Sequence, residues 1–275
     1  MKIGVFDSGF GGLTVLRALL NRIPQADYLY LGDTARLPYG SKSQATIARY
    51  AVSSSRFLIN QGAEFLVIAC NTASALALHE IEQAAQAHKV PVVGVIHPGA
   101  SEAALVTATR DVLVIATSAT VESHAYSAAC KSNGLRAHEK ACPLLVPLVE
   151  EGWTNHPVTT EIVHIYLSEL LRESAEAGLN PDTLVLGCTH YPLLRSVLES
   201  EAGQLWSPNP PRIIDSAEAT AGKVASQLGI TAPGLPAPAA QTRFYATDSV
   251  NKFRTLGERF LGHPVSTVNL VDLGG

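Results

Sequence analysis

Two short stretches of this chain share one frame: Phe65-Leu66-Val67-Ile68-Ala69-Cys70-Asn71-Thr72 and Thr183-Leu184-Val185-Leu186-Gly187-Cys188-Thr189-His190. Each is an apolar, partly β-branched run, followed by one small residue, a Cys and two hydrogen-bonding residues. A short continuous apolar run of this kind reads as a strand buried on both faces of a parallel sheet. The residues after each Cys, Thr72-Ala73-Ser74-Ala75-Leu76 and Tyr191-Pro192-Leu193-Leu194-Arg195, read as helix starts. Both Cys would then stand at the carboxyl end of a strand, the edge at which open α/β sheets bind ligands. A helix N-terminus beside them favours the thiolate. One such Cys reads as a nucleophile; two in matching frames read as a pair of bases working on one substrate from opposite sides.

Strand-like and helix-like segments alternate along the rest of the chain. Strands are expected at 3–6, 28–31, 65–69 and 92–96, with helices at 13–21, 44–61 and 74–88 between them. This βαβα order implies a parallel sheet with helices on both faces. A second series follows His97-Pro98-Gly99, with strands at 111–116, 135–141 and 183–187 and an amphipathic helix at 160–177. The Pro-rich stretch 206–211 reads as a linker. Beyond it come a strand at 212–216, a helix at 217–228, a surface loop at 231–241, a strand at 245–247 and a helix at 250–261. The expected fold class is α/β, with two similar lobes built on mainly parallel sheets. Residues 1–97 with 210–275 form the first lobe and 98–209 the second.

Composition excludes several classes of function. The net charge is −4 and no block of Lys or Arg occurs, so neither nucleic acid nor an anionic membrane surface is an expected partner. No apolar run reaches the ~18 residues of a membrane helix, and Met1-Lys2-Ile3-Gly4-Val5-Phe6 has no signal-peptide pattern. A cytoplasmic location is expected. The four Cys, at 70, 130, 142 and 188, form no C-x-x-C and read as free thiols. Cys130 and Cys142, with no companion motif, read as small buried hydrophobes. No His pair has zinc-ligand spacing, so no metal is expected.

Three further motifs lie where strand gives way to helix. Asp7-Ser8-Gly9-Phe10-Gly11-Gly12 follows the first strand. Its glycines permit close backbone approach to a ligand, although the spacing is not that of dinucleotide folds. A tight turn explains the glycines, but not an acid at a strand end, which is costly to bury without a task. Asp33-Thr34-Ala35-Arg36-Leu37-Pro38-Tyr39-Gly40 follows the second strand and reads first as a turn closed by Pro and Gly. Thr117-Ser118-Ala119-Thr120 offers hydroxyls that cap a helix or hold a carboxylate. His190, two residues past Cys188, is placed as an acid/base helper.

Taken together, Asp7-Ser8-Gly9-Phe10-Gly11-Gly12, Pro38-Tyr39-Gly40-Ser41-Lys42, Cys70-Asn71-Thr72, Pro98-Gly99-Ala100, the 143–152 block and Gly187-Cys188-Thr189-His190-Tyr191-Pro192 resemble the signature blocks of the glutamate racemases, in the family's order and over nearly the whole chain. The resemblance implies two α/β lobes facing a central cleft, no cofactor, and interconversion of L- and D-glutamate that supplies D-glutamate for peptidoglycan. It implies Cys70 and Cys188 as the acid/base pair, assisted by Asp7 and His190. It places Asp7, Ser8, Tyr39, Gly40, Asn71, Thr72, Thr117, Thr120, Thr189 and His190 around the substrate. Glu151 falls on a family acid whose role is open. A small-molecule substrate is the one partner implied, with a homodimer as the candidate assembly.

Elementary chemistry agrees with this assignment. Racemisation needs one group to remove the α-proton and another to return a proton to the opposite face, in either direction. Two like groups serve that need, one as thiolate and one as thiol. A free Cys is only a few per cent ionised at neutral pH, so its neighbours must adjust it. The substrate carboxylates are expected on helix N-terminal amides and Ser, Thr and Asn groups. The alternatives are an aspartate or hydantoin racemase of the same fold and a non-catalytic amino-acid-binding protein, which would bind without turnover. A thiol redox protein fits less well, since its two Cys usually share one C-x-x-C.

Overall fold

The computed structural model describes residues 1–230, 241–265 and 267–274, so the loop expected at 231–241 lies outside the described residues except for Gln241. The chain divides into two compact units, Met1–Val95 with Ala217–Gly275, and Ile96–Ser216.

In chain order the first unit begins with β1 (Lys2–Asp7), α1 (Leu13–Arg22), β2 (Asp27–Gly32), α2 (Gln44–Asn60), β3 (Phe65–Ile68), α3 (Asn71–Leu76), α4 (Leu78–Gln86) and β4 (Val92–Gly94). The second unit contains α5 (Ile96–Val106), β5 (Asp111–Ala116), α6 (Ser118–Glu122), α7 (Ala125–Ser132), β6 (Arg136–Ala141), α8 (Leu145–Glu150), α9 (Pro157–Glu176), β7 (Thr183–Gly187), α10 (Arg195–Leu205) and β8 (Arg212–Asp215). The chain then completes the first unit with α11 (Ser216–Gln227), β9 (Thr242–Ala246), α12 (Val250–Leu261) and β10 (Val268–Leu270).

The first sheet has the order β10-β9-β2-β1-β3-β4, and all its pairs are parallel. Alternate residues of its strands serve opposite faces. Phe6, Leu29, Leu31, Leu66 and Ile68 join one cluster with Leu58 of α2 and Ile81 of α4. Tyr30 instead meets Phe253 of α12, with ring centroids 5.8 Å apart, and Phe253 also packs on Phe10. Helix ends are marked locally: Ser43 caps α2 by accepting the Thr46 N–H, and Gly262 follows α12 at φ +84°, a conformation natural to glycine.

The second sheet has the order β6-β5-β7-β8, again all parallel. Asp111, at the start of β5, is buried because its carboxylate is matched: Arg136 donates two hydrogen bonds of 2.7 Å and the Asn180 N–H a third of 2.8 Å. Among the described residues no helix is long and apolar enough to cross a membrane.

Several boundaries differ from the sequence expectation. The segment 212–215, assigned to the first lobe by the range 210–275, is β8 and pairs with β7, with Leu184 opposite Ile213 and Val185 opposite Ile214. The Pro-rich stretch therefore turns the chain from α10 into the last strand of the same unit, and the passage back to the first unit falls at Ser216 and Ala217. The strand expected at 92–96 ends at Gly94 because α5 starts at Ile96; Pro98 sits in the first turn of that helix, where its missing N–H has no partner to lose. The helix at 74–88 is two helices, broken at Ala77 by a φ of −141°. β10 was not expected.

Gly12 precedes α1 and has no room for a side chain: a Cβ there would lie 2.5 Å from Asp7 Cβ and 2.9 Å from Ala69 Cβ. Relief requires the β1 end or the residue before Cys70 to shift. Gly12→Ala is expected to destabilise the protein by ~1–3 kcal/mol, the range for overpacking, measured by denaturant unfolding, whereas an unchanged midpoint would contradict the packing described.

Candidate active site

The first unit gathers its expected site residues at the carboxyl edge of its sheet. Asp7 is the last residue of β1 and is buried; its Oδ2 accepts the Gly9 N–H at 2.8 Å, folding the turn back on itself. The turn is also held from below, where the Tyr30 hydroxyl donates to the Gly9 carbonyl at 3.1 Å. Cys70 follows β3 and is the N-cap of α3, its Sγ accepting the Ala73 N–H at 3.4 Å. The Ser8 hydroxyl lies 3.4 Å from the same sulfur, and Asn71 and Thr72 are buried in the first turn of α3. Burial pushes the Cys70 thiol up to about 12, and the charge of Asp7 adds to the rise against the hydrogen bonds from Ser8 and Ala73. The expected lowering by a helix N-terminus is thus outweighed: α3 has six residues, and the sulfur is buried beside a carboxylate.

Tyr39 and Gly40 lie in a 3-10 turn at Tyr39–Ser41. The Tyr39 ring is buried 6.2 Å from Phe6, and its hydroxyl donates to Asp33 Oδ2 at 2.5 Å. Burial and then Asp33 raise the Tyr39 pKa, so the hydroxyl keeps its proton. That single hydrogen is committed to Asp33, so toward a carboxylate ligand this turn has backbone N–H groups to offer. Arg36 is likewise committed. Its Nε donates to both oxygens of Asp33 at 2.9 and 2.8 Å, and its guanidinium carbon stands 4.4 Å above the Tyr50 ring.

The second unit repeats the placement with different chemistry. Cys188 follows β7 and is buried. No α-helix starts beside it; the chain enters a 3-10 turn at Tyr191–Leu194, held by the Tyr191 hydroxyl donating to the Cys142 carbonyl at 2.9 Å. His190 lies between Cys188 and a carboxylate, with Nδ1 3.9 Å from Cys188 Sγ and Nε2 3.3 Å from Glu150 Oε1. Burial alone would lower the His190 pKa, but the hydrogen bonds and charges of Cys188 and Glu150 raise it to about 10. Thr189 is buried beside them. Thr117 and Thr120 follow β5 with their hydroxyls 3.0 Å apart; the Thr117 side chain does not cap α6.

The carboxylate behind His190 is Glu150, 40 residues away in sequence, whereas Glu151 is exposed one position beyond α8. Glu150 has the same residue type and differs only in the direction it points from a short helix, which no local pattern reveals. The sequence pattern places Asp33 only in a turn, yet it is fully buried. Cys130 and Cys142 are buried free thiols, and among the described residues no group of three or more His, Cys, Asp or Glu could hold a metal ion.

Two parallel α/β units, each with a Cys at the carboxyl edge of its sheet, define a class of amino-acid racemases. The chain belongs to the Asp/Glu/hydantoin racemase family, whose model matches residues 8–224. It is 53% identical to a glutamate racemase of Koribacter versatilis, over 99% of this chain and 98% of that one. Among solved structures it is similar to the glutamate racemase of Thermus thermophilus in complex with β-chloro-D-alanine, with a TM-score of 0.83, 41% identity and coverage of 99% and 97% of the two chains. It is also similar to that of Francisella tularensis in complex with D-glutamate, with a TM-score of 0.85, 35% identity and the same coverage.

Two expectations follow from the proton affinities. With its thiol pushed up to about 12, Cys70 should react slowly with iodoacetamide between pH ~7 and ~9, since only the thiolate attacks. Peptide mapping should show its rate still rising above that range, and a plateau below pH ~9 would contradict the burial of its charge. His190 holds its proton to about 10 when folded, against ~6.5 when unfolded. Its contribution to stability is complete below pH ~6.5 and is lost as pH rises through about 10. The melting temperature of His190→Asn should therefore fall less steeply over that interval than that of the parent, and parallel curves would contradict the pairing.

Proposed function

We propose that this chain interconverts L- and D-glutamate by a two-thiol mechanism without a cofactor, supplying D-glutamate for peptidoglycan in the cytoplasm. The observation that carries the reading is the matched placement of Cys70 and Cys188, each buried where a parallel strand ends and each beside its own proton partner. In each unit the groups at the carboxyl edge of the sheet suit a carboxylate ligand: in the first, the Ser8 hydroxyl, the Asn71 amide and the backbone N–H groups of the 39–40 turn and of Thr72; in the second, the hydroxyls of Thr117, Thr120 and Thr189. Arg36 is neutralised by Asp33, so carboxylate recognition falls to these neutral donors.

In the proposed reaction one sulfur, as thiolate, takes the α-proton. The other, as thiol, gives a proton to the opposite face of the planar carbanion. The two thiols exchange roles when the reaction runs backward. Cys188 serves as base toward L-glutamate, with His190 and Glu150 stabilising the charge. Cys70 serves as base toward D-glutamate, with Asp7 and Ser8 as its partners. Asp7 opposes the Cys70 thiolate in the resting protein, so a proton on the Asp7 carboxyl or a bound ammonium group is needed when Cys70 acts as base.

Circular dichroism of purified protein with L-glutamate and no added cofactor tests the reading. The signal should decay to zero, in the presence of chelator as well. Cys70→Ala and Cys188→Ala should each slow full racemisation by about 10²–10⁴, the scale of one acid/base group. Aspartate, one methylene shorter, leaves a fixed donor unpaired and should turn over at least about tenfold less efficiently. Comparable rates on aspartate, or activity that survives both Cys substitutions, would defeat the proposal.

A further inference from the structure

Asp33 carries a carboxylate with no exposure to solvent, and such a charge persists only where donors surround it. Three side chains do so: Arg36 on both oxygens, Tyr39 on Oδ2, and Thr247 on Oδ1 at 2.9 Å. Thr247 comes from a segment 214 residues away. It stands there because β9 runs parallel to β2 with Ala246 opposite Gly32, so the residues just past the two strand ends are neighbours. Its hydroxyl uses its hydrogen on Asp33 and a lone pair on the Ala35 N–H, also at 2.9 Å. Next to it, the Thr34 hydroxyl donates to the Asp248 carbonyl at 2.5 Å and accepts the Asp248 N–H at 2.8 Å. Residues 247–248 thus grip residues 33–35 at two adjacent points.

We propose that Thr247 is a positioning residue for the reaction: through Asp33, its hydroxyl holds the Tyr39-Gly40 turn in place at the carboxyl edge of the first sheet. The inference rests on the glutamate site proposed above. Tyr39 has one hydroxyl hydrogen, and Asp33 receives it. The orientation of Asp33 therefore sets the Tyr39 ring, and with it the backbone N–H groups of the turn. Removing the Thr247 hydroxyl leaves Oδ1 with Arg36 as its one remaining side-chain donor and strips the Ala35 N–H of its acceptor. The turn then samples positions from which its amides miss the substrate. Thr247 touches no reacting atom, and the loss is felt equally in the ground state and the transition state, so it enters KM and not kcat.

Steady-state racemisation of both enantiomers, followed by circular dichroism, tests this on the full chain. Thr247→Val is nearly isosteric and lacks the hydroxyl. It should raise KM for L- and D-glutamate by about five- to tenfold, the scale of one ordinary hydrogen bond, with kcat within about twofold. Thr247→Ser keeps the hydroxyl and should stay within about twofold of the parent in both constants. Where valine is not accommodated, Thr247→Ala carries the same expectation as Thr247→Val. In a Tyr39→Phe background, which already lacks the Tyr39–Asp33 bond, Thr247→Val should add less than about twofold to KM, because the two act through one carboxylate. An unchanged KM in Thr247→Val, a fall in kcat at constant KM, or an equal rise in both backgrounds would overturn the role. No turnover of glutamate by the parent protein would instead defeat the functional reading itself, and this inference with it.

Discussion

In a parallel sheet every strand ends on the same side, and there the ladder of backbone hydrogen bonds stops. Groups just past that edge are fixed by the strands but are not consumed by the ladder. Both sheets of this chain are wholly parallel, so each unit has one such edge. Asp7, Asp33 and Cys70 stand at the ends of β1, β2 and β3, and Thr117 and Cys188 at the ends of β5 and β7. The functional reading depends on this constraint. An antiparallel pair would send alternate residues of the set to opposite edges and separate each thiol from its partner.

The repeated frame of Cys70 and Cys188 was legible because strand burial on two faces forces a continuous apolar run, and such runs are rare enough to be compared. What surrounds each sulfur was not legible. Cys70 caps a helix and is opposed by a carboxylate, whereas Cys188 meets an imidazole backed by a second carboxylate. The two frames are alike up to the sulfur and diverge immediately after it, because Asn71 begins a helix and Thr189 does not. The two thiols of the proposed mechanism are therefore held in unlike electrostatic settings. In the proposed reaction, the ammonium and carboxylates of the bound substrate would supply the remaining charge when either sulfur acts.

Long-range pairs account for most of what the residue pattern did not reveal. Glu150 reaches His190 across 40 residues, and Thr247 reaches Asp33 across 214. Neither spacing carries a period, and an isolated Glu or Thr has an ordinary surface explanation. The assignment of 212–215 failed for a related reason: a Pro-rich stretch marks a change of direction, but only strand pairing tells which sheet the chain enters next. The second series, expected after His97-Pro98-Gly99, already begins with α5 at Ile96, since Pro is compatible with a first helical turn.

The first unit is discontinuous in sequence, and this bears on the order in which it is made. β1 to β4 are synthesised first, but β2 remains an edge strand until β9 and β10 emerge more than 200 residues later. Over that interval the hydrogen-bonding edge from Asp27 to Gly32 is open, with Tyr28, Leu29, Tyr30 and Leu31 along it. Such an edge is a template for pairing with another chain. The second unit, contiguous from Ile96 to Ser216, has all the strands of its sheet before the first can close. A nascent chain of this protein therefore carries one complete sheet and one unfinished one, and truncation anywhere before β9 leaves a species whose exposed edge invites aggregation.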